Sequence, residues 1–136
     1  MKVLVDTSVW SLVLRRRSPP RNEAIAAELQ RLVVGYRVAM IGPIRQELLS
    51  GIRAREQYEG LRERLHAFPD LQLQTDDYEL AAGFFNNCRS RGVHGSNTAF
   101  LICAVAIRRE MPVFSTEGDF AAYAAIIDVG LHKCGE

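Results

Sequence analysis

The sequence predicts a three-layer α/β/α fold, with helices on both faces of a mostly parallel central sheet. Short apolar runs of strand character alternate with longer segments of helical periodicity along the whole chain, the pattern of repeated βαβ units. Helix start and stop signals such as Asn22, Gly35, Gly42-Pro43 and Ser96 fall between those segments. No linker, internal repeat or low-complexity stretch interrupts them, so residues 1–136 are expected to form a single domain.

Val3 to Val5 reads as a short buried strand. Ser8 to Arg15 has helical spacing, with Val9, Leu12 and Val13 on one side, and Ser18-Pro19-Pro20 stops it. Asn22 caps a helix through Val34 whose apolar stripe is Ile25, Leu29, Leu32 and Val33, and Gly35 ends it. Arg37 to Ile41 forms the second strand, and Gly42-Pro43 opens a helix carrying Ile44, Glu47 and Leu48. Arg53 to Ala67 is a charged helix packed through Tyr58, Leu61 and Leu65. After a turn at Phe68-Pro69-Asp70, Leu71 to Leu73 is a short strand or a connector. Thr75 caps a helix from Asp76 to Arg89, with Tyr78, Ala82 and Phe85 facing inward. Ser96 caps the most apolar helix, Asn97 to Arg109. Pro112 to Ser115 is a strand, Glu117 to Ala124 a short helix, and Ile126 to Val129 a last strand.

The bulk numbers fit an ordinary globular domain, with 48% hydrophobic and 24% charged residues. A net charge of +1 gives no whole-molecule attraction for nucleic acid. The cations are nonetheless nearly all arginine and fall in clusters: Arg15-Arg16-Arg17, Arg53 with Arg55, Arg89 with Arg91, and Arg108-Arg109. Arginine is the better phosphate fork, although solvated helix ends explain such clusters equally well. Cys88, Cys103 and Cys134 are odd in number and form no CxxC pair, which fits a reducing cytoplasm, with Cys103 as a small core residue. His66, His94 and His132 show no metal-ligand spacing. His94 stands in a glycine-flanked loop from which it can approach a site. No apolar run is long enough to span a bilayer, and no signal peptide is expected.

The chemistry resides in the acids. Asp6 follows the first strand directly, Glu47 lies in the first turns of the helix after the second, and Glu117 and Asp119 follow the Pro112–Ser115 strand. Parallel strands bring their C-terminal ends to one edge, where α/β sheets hold ligands. Carboxylates gathered there repel one another unless a cation neutralises them. Hard oxygen donors suit Mg²⁺ or Mn²⁺, and phosphodiester hydrolysis is the natural reaction for such a site. Each acid alone also reads as a turn, cap or surface residue. It is the shared placement that points to a site.

Four segments together resemble the PIN domain, and more narrowly the VapC toxins of bacterial toxin–antitoxin pairs, over nearly the whole chain. Leu4-Val-Asp-Thr-Ser8 is similar to the family's opening motif and Glu47-Leu48-Leu49 to its second. Gly95 to Ala106 is similar to the third, and Ser115-Thr-Glu-Gly-Asp-Phe120 to the fourth. The resemblance implies a Mg²⁺-dependent endoribonuclease acting on tRNA, rRNA or mRNA, a homodimer, and a cognate VapB-type antitoxin that blocks the site. Carried over by position, it makes Asp6, Glu47 and Glu117 the metal ligands, with Asp119 the alternative for the fourth motif. Thr7, Ser8 and Thr116 would hydrogen-bond the carboxylates or the scissile phosphate, while Arg15, Arg16, Arg17 and His94 would track RNA. Trp10 and Leu14 would be antitoxin contacts, although Trp10 also suits a core.

One position departs from the family pattern. The third motif carries Asp immediately before Phe-Leu-Ile, and this chain has Ala99 there. A methyl cannot hold a cation, and Asn97 points elsewhere around the helix. The alanine either is natural or replaces an aspartate to make a toxic enzyme tolerable to its producing cell. The expected function is therefore a ribonuclease weakened or inactivated at this position, or else an inert module that binds RNA or an antitoxin. A phosphoacceptor domain of the response-regulator kind is a poorer match, because Lys133 is the only late lysine and no acid follows Ile41.

Overall fold

The computed structural model describes residues 1–14 and 22–135. Three short parallel strands form its sheet, in the order β2-β1-β3. Strand β1 spans Val3–Val5, β2 Val38–Ala39 and β3 Val113–Phe114. Seven helices surround the sheet among the described residues: α1 Thr7–Leu14, α2 Glu23–Val34, α3 Gly42–Leu49, α4 Arg55–Leu65, α5 Thr75–Ser90, α6 Asn97–Arg108 and α7 Asp119–Ala124. The expected α/β architecture is the one observed. Arg15, Arg16 and Arg17, with Ser18-Pro19-Pro20, lie outside the described residues.

Successive residues of a strand point to opposite faces of a sheet. Val3, Leu4 and Val5 are all fully buried, so both faces of β1 are covered. Leu4 pairs with Ala39 on one side and with Val113 on the other, and Val5 pairs with Phe114. This register sets the last residues of the three strands side by side at one edge.

The outer elements differ from expectation. The run Ile126 to Val129 is not a strand: the Ile126 and Ile127 amides both donate to the Tyr123 carbonyl and prolong the turn of α7. Its apolar residues pack without a ladder, Ile127 and Val129 being buried. The sheet instead gains single parallel bridges from Leu131 to Val113 and from Asp70 to Met40. The expected strand Arg37–Ile41 shortens to Val38–Ala39, with Met40 forming the latter bridge. Trp10 is a core residue, packed edge-on against Phe68 with 5.2 Å between ring centres.

The long antiparallel hairpin of α5 and α6 turns a different face inward than the apolar pattern predicts. Asp77, Ala81 and Cys88 are the buried positions of α5, while Tyr78 is 53% exposed and Ala82 is exposed as well. The reason is the carboxylate of Asp77, which is wholly buried. Arg109 grips it with two N–H groups at 2.8 and 3.1 Å, Arg108 adds one at 2.7 Å, and the Gln74 amide adds another at 2.7 Å. Thus Gln74, not Thr75, precedes the first turn of α5, and Asp77 caps it. A carboxylate held this way outweighs the apolar register of one tyrosine, since a buried charge left unpaired is strongly destabilising.

The arginine hydrogen bonds hold the Asp77 carboxyl well below the usual carboxylate range, against the opposing effect of burial. A lowered native pKa stabilises the fold above the ordinary aspartate value of about 3.9, and that contribution is lost as pH falls toward the native value. Replacing Asp77 by Asn should cost about 3 kcal/mol in urea unfolding at neutral pH. The difference between the two proteins should shrink as the pH is lowered below about 4.

Candidate active site

The edge where the strands end holds a cleft of about 470 Å³. Asp6, Glu47 and Glu117 line it, and so do Thr7, Ser8, Thr116 and Ala99. The residues expected at the ends of three separate strand segments are thus brought together. Asp119 is exposed at the start of α7 and does not line the cleft. His94 is exposed and does not line it either; its carbonyl accepts a hydrogen bond from the Tyr123 hydroxyl at 3.4 Å.

Asp6 directly follows β1 and is only 6% exposed. Its Oδ2 accepts from the hydroxyls of Ser8 at 2.8 Å and Ser115 at 2.9 Å. Both hydroxyl protons are used on the carboxylate, so the 3.2 Å contact between the two oxygens is a close approach. Those oxygens in turn accept backbone N–H groups, Ser8 from Thr116 at 3.1 Å and Ser115 from Glu117 at 3.0 Å. The loop after β3 is therefore tied to the start of α1 through the acid between them. Ser115 is the residue the sequence reading passed over. Its signal was its position, next after Phe114, which pairs with Val5.

Glu47 stands on α3, and its Oε1 accepts from Thr7 at 2.8 Å. No hydrogen bond or ion pair within the described residues engages Asp6 Oδ1, Glu47 Oε2 or either oxygen of Glu117. Burial pushes the Glu117 carboxyl up, and the negative charges of Asp6, Asp119 and Glu47 push it further in the same direction. The acids therefore feel one another across the cleft, Asp119 included. Their hard oxygens suit Mg²⁺ or Mn²⁺ in kind. Among the described residues, however, no three acids, histidines or cysteines are gathered closely enough to hold an ion between them.

The third wall is the first turn of α6. Ser96 caps it as the sequence predicts, its Oγ accepting from the Ala99 amide at 3.0 Å. Ser96, Thr98, Ala99 and Ile102 line the cleft. Ala99, where the sequence resemblance leads one to expect a carboxylate, presents a methyl on this wall. Gly95, just before the cap, lies against Tyr123, and a Cβ at this position would run into the tyrosine ring and hydroxyl. Cys103 lies deeper in α6, where burial pushes its thiol up to about 12, so it is a core residue and not a nucleophile.

Residues 3–126 match the PIN domain family. This chain is a PIN-domain protein of the VapC kind. It is 30% identical over 132 residues to Ribonuclease VapC11 of Mycobacterium tuberculosis, covering 93% of this chain and 95% of that one. Its fold is similar to that in the crystal structure of FitAcB from Neisseria gonorrhoeae, with a TM-score of 0.77, 21% identity and 96% coverage of each chain. It is equally similar, at TM-score 0.77 and 15% identity, to VapBC2 from Rickettsia felis bound to a DNA fragment from their promoter, covering 97% and 98% of the two chains. The phosphoacceptor alternative has no support in a PIN domain.

The coupling across the cleft can be read by NMR titration of side-chain carboxyl carbons. Replacing Asp6 by Asn should lower the pKa of Glu117. The value should stay above the ordinary glutamate value, because partial desolvation is the largest of its causes.

Proposed function

We propose that this chain is the ribonuclease toxin of a VapBC-type pair, hydrolysing RNA phosphodiester bonds with a divalent cation, and that Ala99 leaves it weak or inactive. The observation carrying this reading is the convergence of Asp6, Glu47 and Glu117 on one cleft, with Glu117 titrating under the charge of the other two. Asp6 Oδ1, Glu47 Oε2 and the Glu117 carboxylate would face the ion, Mg²⁺ or Mn²⁺, and side-chain movement would have to draw them closer together than they stand here to hold it. When bound, such an ion polarises a phosphoryl oxygen and lowers the pKa of a water molecule. Ser8 and Ser115 fix the orientation of Asp6, and Thr7 fixes that of Glu47. Desolvation, with the charges of Asp6, Asp119 and Glu47, moves the Glu117 carboxyl toward its protonated form. Thr116 and the hydroxyls of the α6 wall would contact the RNA backbone.

The partner in this reading is a VapB-type antitoxin. A second groove of about 860 Å³, lined by Leu14, Leu48, Ile52 and Leu61, shares Ser11 with the acidic cleft. An antitoxin segment with apolar anchors in the groove would reach the carboxylates across Ser11. A homodimer in a reducing cytoplasm completes the proposal. The alternative, an inert module that binds RNA or an antitoxin without chemistry, draws on the same methyl of Ala99.

Comparing the chain with its Ala99→Asp form separates the two. Restored acidity should raise Mg²⁺-dependent RNA cleavage by about a hundredfold and arrest growth on expression. An Ala99→Asp protein that binds Mg²⁺ yet leaves every RNA pool intact would overturn the nuclease reading.

A further inference from the structure

A cleft lined by three carboxylates repels a polyanion, so an RNA strand crossing it needs fixed cations beside the acids. The α5–α6 hairpin has the charge pattern to supply them. From residue 80 to residue 109 the chain contains no aspartate or glutamate. Its four arginines fall into two pairs with opposite fates. Arg108 and Arg109, at the end of α6 remote from the cleft, are committed to Asp77. Arg89 and Arg91, at the other end, are exposed and make no ion pair within the described residues. From them the turn 91–95 leads directly into Ser96 on the cleft wall.

That turn is held rigidly. The amides of Arg91 and Val93 both donate to the Cys88 carbonyl, at 3.0 and 2.9 Å, and the Gly92 amide donates to Arg89 at 3.0 Å. Tyr123 anchors the turn at the His94 carbonyl and packs on Phe120, which lines the cleft. The Arg89 guanidinium carbon lies over the Phe85 ring, 5.8 Å from its centre, a cation–π contact that draws the exposed side chain back along its own helix. A cationic fork on a fixed backbone is suited to phosphate oxygens.

We propose that Arg89 and Arg91 form the RNA-backbone rim of this active site, seating the strand that enters the acidic cleft past Ser96. This deepens the ribonuclease reading and rests on it. Because Ala99 suppresses cutting in that reading, binding can be measured on the chain as it stands, by fluorescence anisotropy with a labelled single-stranded RNA of mixed sequence in Mg²⁺. The pair Arg89→Ala with Arg91→Ala should weaken binding about tenfold at 0.1 M salt and reduce the slope of log affinity against log salt by about 1.4. The pair Arg53→Ala with Arg55→Ala, equally exposed at the start of α4, should change little, and circular dichroism should show both proteins folded. Equal losses from the two pairs, or no loss from the first, would overturn the proposal while leaving the nuclease reading intact. If the chain binds no RNA and its Ala99→Asp form cuts none, the nuclease reading fails and takes this proposal with it.

Discussion

Asp6 is a charge at the end of a strand that water does not reach. Val3, Leu4 and Val5 are fully buried before it, and the carboxylate itself is almost so. Such a group is costly unless its oxygens are satisfied. Ser8 can satisfy one oxygen from within the first turn of α1. Ser115 can do so only because β3 runs parallel to β1 with Val5 opposite Phe114, which brings the next residue of each strand together. A slip of one residue in that register would turn Ser115 to the other face. The two hydroxyls on Asp6 Oδ2, the strand order and the meeting of α1 with the loop after β3 are therefore one constraint.

The other walls of the cleft are placed by less local means. Glu47 is held by Thr7, the residue next to Asp6, so two neighbouring positions of the chain orient two acids from different elements. The α6 wall depends on the whole hairpin. Its N-terminal turn is capped by Ser96 and seated on Tyr123 through Gly95, while its far end is pinned by Asp77. The site thus has a rigid frame around Ala99, whose methyl lines the cleft beside the acids. Desolvation displaces Glu117 toward its neutral form, and the negative charges of Asp6, Asp119 and Glu47 add to it.

The elements that frame the site were legible because their signals are local. An apolar run ending in Asp6, a proline in the first turn of α3 and a serine cap at α6 each act within a few residues. What escaped was set by contacts distant in sequence. Asp77 reads as one of two adjacent acids in a helix's first turn, and only Arg108 and Arg109, more than thirty positions on, make it the buried face. Ile126 to Val129 has the composition of a strand, but the Tyr123 carbonyl captures its first amides before a ladder can form. Ser115 reads only as the last residue of a strand, because its partner, Asp6, is 109 positions earlier.

The arginine clusters show why composition alone could not assign them. In the sequence, Arg108-Arg109 and Arg89 with Arg91 are alike: pairs near helix ends, each explicable by the helix dipole. The fold divides them by whether an acid comes within reach. Antiparallel packing of α5 on α6 brings Asp77 to the first pair and leaves the second with no carboxylate of its own hairpin. A nearly neutral protein is therefore strongly polarised at the scale of its site. The carboxylates line the cleft, and two uncompensated guanidinium groups lie one turn of chain away from its α6 wall. A ligand that carries both a phosphate backbone and a counter-cation is complementary to both sets of charge.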